Sequence, residues 1–146
     1  MNFPKHNPRQ LEFVEQRRRT DCGVACMGML AGYMYEDMAS IVLSLGKTIK
    51  GGMYPEDVLE VLEALGHYCV ECKKLPSKGH ALVALQWKDE GLSGHYVIWD
   101  NKRKQFLDPI NGLIEKKELL KVAIIERIFK VSWRRRKNVK VPRNKS

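Results

Sequence analysis

The hydrophobic period of the chain changes once, at Gly66, and that change limits the folds open to it. Before Gly66 apolar residues recur at helical spacing. After it, short runs rich in β-branched and aromatic residues alternate with turn formers. Asp21 stands where an N-cap belongs, and Ala, Met, Leu and Tyr follow at helical spacing over residues 22–35. A second helix is expected from Glu36 to Leu45, stopped by Gly46. The loop GKTIKGGMYP leads to Pro55 at the first position of a third helix, which turns Val58, Leu59, Leu62 and Leu65 inward and stops at Gly66. HYCVECKKL, HALVALQW, GHYVIWD and KQFLDP read as strands, followed by a short helix at Lys116–Val122 and a last strand in AIIERIFKVSW. Helices first and strands afterwards give an α+β fold, with N-terminal helices packed on an antiparallel β-sheet.

The 146 residues suit one domain, and 44% hydrophobic residues supply a core without disulfide or metal staples. No stretch approaches the roughly 20 apolar residues that span a bilayer, and MNFPKHNPRQLEFVEQRRR lacks the apolar run of a secretory signal. A cytoplasmic, reducing setting is therefore expected, at least where the chain is made, with later delivery elsewhere as an effector left open. The net charge of +9 sits at the ends: residues 1–19 carry +3 and residues 134–146 carry +7, leaving the 114 residues between them at −1. Residues 16–133 are expected as the folded domain, between an arm at 1–15 and a basic tail at 134–146. A near-neutral body argues against nucleic acid as the partner, although the basic ends suit some acidic partner.

Four cysteines, at 22, 26, 69 and 72, have the spacings C-x3-C and C-x2-C, which invite a four-thiolate zinc site. Local context opposes it. Cys22 and Cys26 share a helix face, but Cys69 and Cys72 lie three apart on a strand and point to opposite faces. Val70 and Glu71 between them are not knuckle residues. No metal or organic cofactor is expected, and Cys26, Cys69 and Cys72 read as small buried hydrophobes.

Cys22 is different, because it opens a helix. Unpaired N–H groups and the positive end of the helix dipole favour a thiolate there, and Gly23 leaves the neighbouring backbone uncrowded. A Cys nucleophile needs a base, and the base an orienting partner. If the turn after GHYVIWD is centred between Asn101 and Lys102, His95 stands directly opposite Asp108, with Cβ atoms about 4.5–5.5 Å apart. Val97 and Trp99 then face Phe106 and Lys104. Gln16, six residues before Cys22, is placed to donate its amide to an oxyanion beside the Cys22 N–H. Alone, each residue has a plain reading: core for a Cys, packing for a His, solvation for a Gln among arginines. Together they point to thiol catalysis.

Gln16-Arg-Arg-Arg-Thr-Asp21-Cys22-Gly23-Val24-Ala25-Cys26 resembles the start of the bacteriocin-processing peptidases that remove double-glycine leader peptides. His95-Tyr96-Val97-Ile98 resembles that family's His strand, and Leu107-Asp108-Pro109 with Asn111-Gly112 its Asp-Pro-x-x-Gly segment. GGMYPEDVLEVLEALG resembles its glycine-containing loop and following helix. The resemblance runs from about Gln16 to about Leu120 and implies a papain-like cysteine protease fold acting on a peptide or protein substrate. It implies Cys22 as nucleophile, His95 as base and then acid, Asp108 as orienter and Gln16 in the oxyanion hole. The family's exporters also carry membrane and ATP-binding regions, whereas this sequence has no Walker-type glycine loop.

Other readings share these residues. Deamidation of a glutamine or acyl transfer uses the same acyl-thioester intermediate. A non-enzymatic module holding an acidic partner through Arg17–Arg19 and Arg134–Lys137 is the rival from another class; it predicts salt-dependent association indifferent to Cys22. His6, His67 and His80 lack partners of the right type and read as structural. Trp87, Trp99 and Trp133 read as core or rim aromatics, with Trp99 the one placed to flank a cleft. Asp89 and Glu90 read as a surface loop.

Overall fold

The computed structural model describes residues 11–89 and 94–133. The basic tail, residues 1–10 of the arm with His6, and Glu90 lie outside the described residues.

α1 (Cys22–Ala31) buries all ten of its residues. A helix apolar on every side belongs in the interior, and here it is the centre of the core. It ends four residues earlier than its spacing predicts. Gly32 takes a left-handed φ of 81°, and the N–H groups of Gly32 and Tyr33 both donate to the Gly28 carbonyl at 2.8 Å. That doubly bonded carbonyl closes the last turn. α2 (Tyr35–Ser44) and α3 (Pro55–Ala64) cover α1 with single apolar faces, Met38, Ile41 and Val42 from one and Val58, Val61 and Leu62 from the other. Leu59 is only partly buried, and Val61 takes the inward position expected of it.

Six antiparallel strands follow: β1 (His67–Cys72), β2 (His80–Trp87), β3 (Gly94–Asp100), β4 (Gln105–Asp108), β5 (Gly112–Ile114) and β6 (Ala123–Trp133). Their order in the sheet is β1-β6-β2-β3-β4-β5, so the last strand lies between the first two. β5 is too short to leave a period in the sequence, and only its pairing with β4 defines it. α1 to α3 pack on one face against Leu82, Ile98, Leu107 and Phe129. The other face carries Val83, Val97, Trp99 and Phe106 under α4 (Lys116–Val122), which contributes Leu119. Cys69 packs toward the helix-side core and Cys72 toward the other, on opposite faces as their spacing requires. Both are half-buried rather than buried.

The β3–β4 register differs from the expected one. Asp100 pairs with Gln105, Trp99 with Phe106 and Ile98 with Leu107. The turn therefore holds four residues, 101–104, instead of two. Asp100 causes this: its Oδ1 accepts the N–H groups of Lys102 and Arg103 at 3.0 and 3.2 Å, which winds the backbone into an Asx-type turn. Lys104 closes the turn at φ 57°. The shift is by two positions, so every side chain keeps its face, but His95 and Asp108 become diagonal neighbours.

Candidate active site

α1 delivers Cys22, β3 delivers His95 and β4 delivers Asp108. The β3–β4 ladder stops at Ile98–Leu107, and beyond that point α1 comes against β3. There the Cys26 thiol donates to the Tyr96 carbonyl at 3.4 Å. Gly23 faces the Tyr96 ring, not an open cleft: a Cβ on Gly23 meets that ring and Val58 at 3.5 Å. That is ordinary van der Waals contact, which an alanine would also make.

His95 Nε2 lies 2.8 Å from Asp108 Oδ1, and both side chains are almost wholly buried. The Cys22 side chain lies close enough to the imidazole to favour its charged form. With Nε2 taken by Asp108, Nδ1 is the nitrogen left for sulfur. Burial opposes charge on His95, yet the hydrogen bond to Asp108 and the nearby Cys22 outweigh it and raise the imidazole to about 9. Asp108 is held the opposite way. Burial works against its ionisation, but His95, the Ile110 N–H at 3.0 Å and the Asn111 amide at 3.1 Å keep the carboxyl below its usual range. Cys26, one helical turn from Cys22, is fully buried; burial, then the nearby Cys22 and Asp108, push its thiol well up. It is not a second nucleophile.

Gln16 reaches the site by its backbone. Its N–H donates to the Pro109 carbonyl at 3.0 Å, tying the segment before α1 to the residue after Asp108. Its side-chain amide donates to the carbonyls of Arg18 and Arg19 at 2.7 and 3.4 Å, while its Oε1 is buried without a partner. The amide is thus engaged locally.

Asp21 does not cap α1 with its side chain. Its buried carboxylate turns back and accepts the N–H groups of Arg17 (3.2 Å) and Arg18 (3.0 Å) on Oδ1, and the Tyr35 hydroxyl (2.6 Å) on Oδ2. It organises the loop that carries Gln16. Arg17 pairs with Glu36 and lies over the Tyr35 ring, so its charge is occupied at α2.

The tryptophan beside the site is Trp87, not Trp99. Its ring lies 4.9 Å from the His95 ring at an interplanar angle of 31°, whereas Trp99 packs edge-on against Phe106 in the core. The β2–β3 register explains the exchange: Leu85 pairs with His95, and Trp87 projects from the same face two residues on. Nothing in the sequence of one strand specifies its register against another. Among the described residues no group of three or more His, Cys, Asp or Glu is gathered for a metal. His67 is buried against Trp133, and His80 accepts the Asn101 N–H, both away from the Cys22–His95–Asp108 set.

A family model, that of the peptidase C39 family, matches residues 10–130. No curated protein matches the chain. Among solved structures, the peptidase domain of Streptococcus ComA, a bifunctional ABC transporter involved in a quorum-sensing pathway, is similar with a TM-score of 0.63 and 17% identity. That match covers 86% of this chain and 100% of the other. A double-glycine-motif protease from an AMS/PCAT transporter, solved with its leader peptide, is similar with a TM-score of 0.59 and 16% identity over 85% of this chain and 92% of that one. The peptidase domain of Streptococcus mutans ComA matches with a TM-score of 0.56 and 18% identity, over 82% and 98% of the two chains. The chain thus has the fold of these peptidase domains.

Proposed function

The chain belongs to the peptidase C39 family and is a papain-like cysteine peptidase, and from that premise we propose that it cleaves a peptide or protein amide bond through an acyl-thioester on Cys22. The observation that carries this reading is the buried His95 imidazole hydrogen-bonded to Asp108 at 2.8 Å, with Cys22 near enough to favour its charged form. His95 takes the thiol proton and the sulfur attacks the carbonyl carbon. The N–H groups in the first turn of α1, with no intrahelical acceptor, face the developing oxyanion. His95 then gives its proton to the leaving amine, and a water molecule, deprotonated by His95, releases the acyl product and the thiol. Asp108 keeps the ring in one orientation and stabilises its charged form. Gln16 completes the oxyanion hole once its amide turns from the Arg18 and Arg19 carbonyls. No cofactor takes part; the chemistry needs only a reduced Cys22.

The protease solved with a leader peptide supports a peptide substrate for this chain too. We place the peptidase domain at residues 16–133, with an arm before it and a basic tail after it, and assign it to the cytoplasm. No helix among the described residues is long and apolar enough to cross a membrane. Incubating the chain and its Cys22→Ala variant with a proteome-derived peptide library, and mapping new termini by mass spectrometry, tests the reading. Cleavage that depends on Cys22 is expected; equal products from both proteins overturn it.

A further inference from the structure

Between the β3–β4 turn and α4 the surface folds into an open groove of about 730 Å³. Arg103 and Lys104 line it from the turn, and Lys116, Lys117 and Lys121 from α4, against one lining carboxylate, Glu115, among the described residues. Residues 20–133 net −1 as a whole, so five cations here are a local concentration and not a share of general basicity. Lys116 and Lys117 have no carboxylate partner among the described residues, whereas Arg103 and Lys121 are paired with Asp100 and Glu118. Lys104 is the described non-glycine residue with a positive φ, 57°, a conformation that costs a lysine about 1 kcal/mol and a glycine nothing. Its Nζ donates to Asn101 Oδ1 at 2.6 Å, so this cation is held within the turn at the rim of the groove.

The groove and the catalytic residues share strand β4. β4 runs from Gln105, which lines the groove, to Asp108, a distance of about 10 Å over three strand residues. α4 packs on the face of the sheet that carries Val97, Trp99 and Phe106, from which His95 and Asp108 also project by alternation.

We propose that this groove docks an acidic stretch of the polypeptide substrate; the proposal rests on the peptidase reading above. Charge complementarity selects the occupant. A volume within the roughly 300–1,000 Å³ of small-ligand sites suits a few amino-acid residues, and Leu120 with the lysine stems offers apolar contact to a peptide backbone. A nucleic acid carries a phosphate at every step and meets Glu115 head-on, while a peptide can set a neutral residue there.

The test is fluorescence anisotropy of a fluorescein-labelled (Glu-Gly)5 peptide with the full Cys22→Ala chain, at low and at physiological salt. Lys116→Glu/Lys117→Glu/Lys121→Glu, three exposed positions, is expected to weaken binding at least tenfold while circular dichroism stays unchanged. Arg134→Ala/Arg135→Ala/Arg136→Ala is expected to leave it within twofold. Undiminished binding by the charge-reversed chain, binding lost on changing the tail, or tighter binding of an oligothymidylate of equal charge overturns the proposal. The peptide-library digest separates this from the function itself. Cleavage sites flanked by Asp and Glu, with that enrichment lost in the charge-reversed chain, support docking. Cleavage without the enrichment removes the docking proposal and leaves the peptidase intact. No Cys22-dependent cleavage removes the peptidase reading, and with it the substrate role of the groove.

Discussion

Nε2 of His95 and Oδ1 of Asp108 are 2.8 Å apart although the two residues stand diagonally, not opposite, across β3 and β4. The diagonal gives the contact its geometry. Directly opposed residues have Cβ atoms about 5 Å apart, too close for an imidazole to lie lengthwise between them, whereas diagonal ones are separated by about 7–8 Å. The ring fills that gap, with Nε2 on the carboxylate and Nδ1 left for sulfur. Asn111 and the Ile110 N–H hold the carboxylate from behind.

Removing that carboxylate leaves the imidazole free to turn. Asp108→Ala is expected to lower kcat by about 10²–10⁴, the range of general acid–base catalysis. Asn111→Ala removes one of the hydrogen bonds to Asp108, about 1 kcal/mol, and is expected to cost about tenfold or less. Steady-state kinetics on the same cleaved peptide separates them; equal losses from both changes contradict the assignment of Asp108 as the direct partner.

The His95 imidazole, raised to about 9, stays protonated beside the sulfur through neutral pH. Iodoacetamide is therefore expected to alkylate Cys22 below pH 7 ahead of the half-buried Cys69 and Cys72, with fully buried Cys26 slowest. In His95→Ala the rate at pH 6.5 is expected to fall at least tenfold. The alkaline limb of activity is expected near pH 9, where His95 loses the proton it must donate. Mass-spectrometric mapping of the four thiols across pH reads both outcomes.

Two histidines set opposite pH windows for stability. His67, buried and lowered to about 4, is neutral in the fold while the unfolded chain binds a proton near 6.5. Its contribution is present above 6.5 and is lost as pH falls toward 4, by up to about 3 kcal/mol. His95 is raised, so its contribution is present below 6.5 and is lost as pH rises through about 9. His67→Phe, which keeps a ring against Trp133, is expected to shrink the drop in Tm between pH 7 and 4.5 by several degrees. Thermal melts in which the variant and the parent lose Tm equally over that range refute the role of His67.

Asp21→Ala leaves the Arg17 and Arg18 N–H groups and the Tyr35 hydroxyl without their acceptor. A loss of about 3 kcal/mol is expected, roughly 10 °C in Tm for a domain of this size. Asp21→Asn, which keeps an acceptor oxygen, is expected to lose less than half of that. Equal melting of parent and Asp21→Ala means the loop does not depend on the carboxylate.

Periodicity was enough to locate four helices and five of the six strands among the described residues: α1 is apolar throughout, and most of the others bury one face with its own spacing. It also set the side of the sheet for His95 and Asp108, since a two-position shift conserves parity. What escaped it depends on relations between segments. The four-residue turn comes from the Asp100 side chain folding onto Lys102 and Arg103, and Trp87 meets His95 through a β2–β3 register that neither strand encodes alone. Asp21 reads as a cap because caps and loop anchors use the same carboxylate. The groove was hidden because its cations come from positions 103–104 and 116–121 and meet only when α4 folds back on the sheet.

β6 lies between β1 and β2, and β1 has no other neighbour in the sheet. A ribosome therefore emits Cys22, His95 and Asp108 well before the strand that completes the framework holding them. At about 5–20 residues per second, the 25 residues from 109 to 133 take one to five seconds to translate. During that interval the nascent chain carries every reactive group and no finished sheet. The order of strands thus places completion of the framework around Cys22, His95 and Asp108 at the very end of the domain's synthesis.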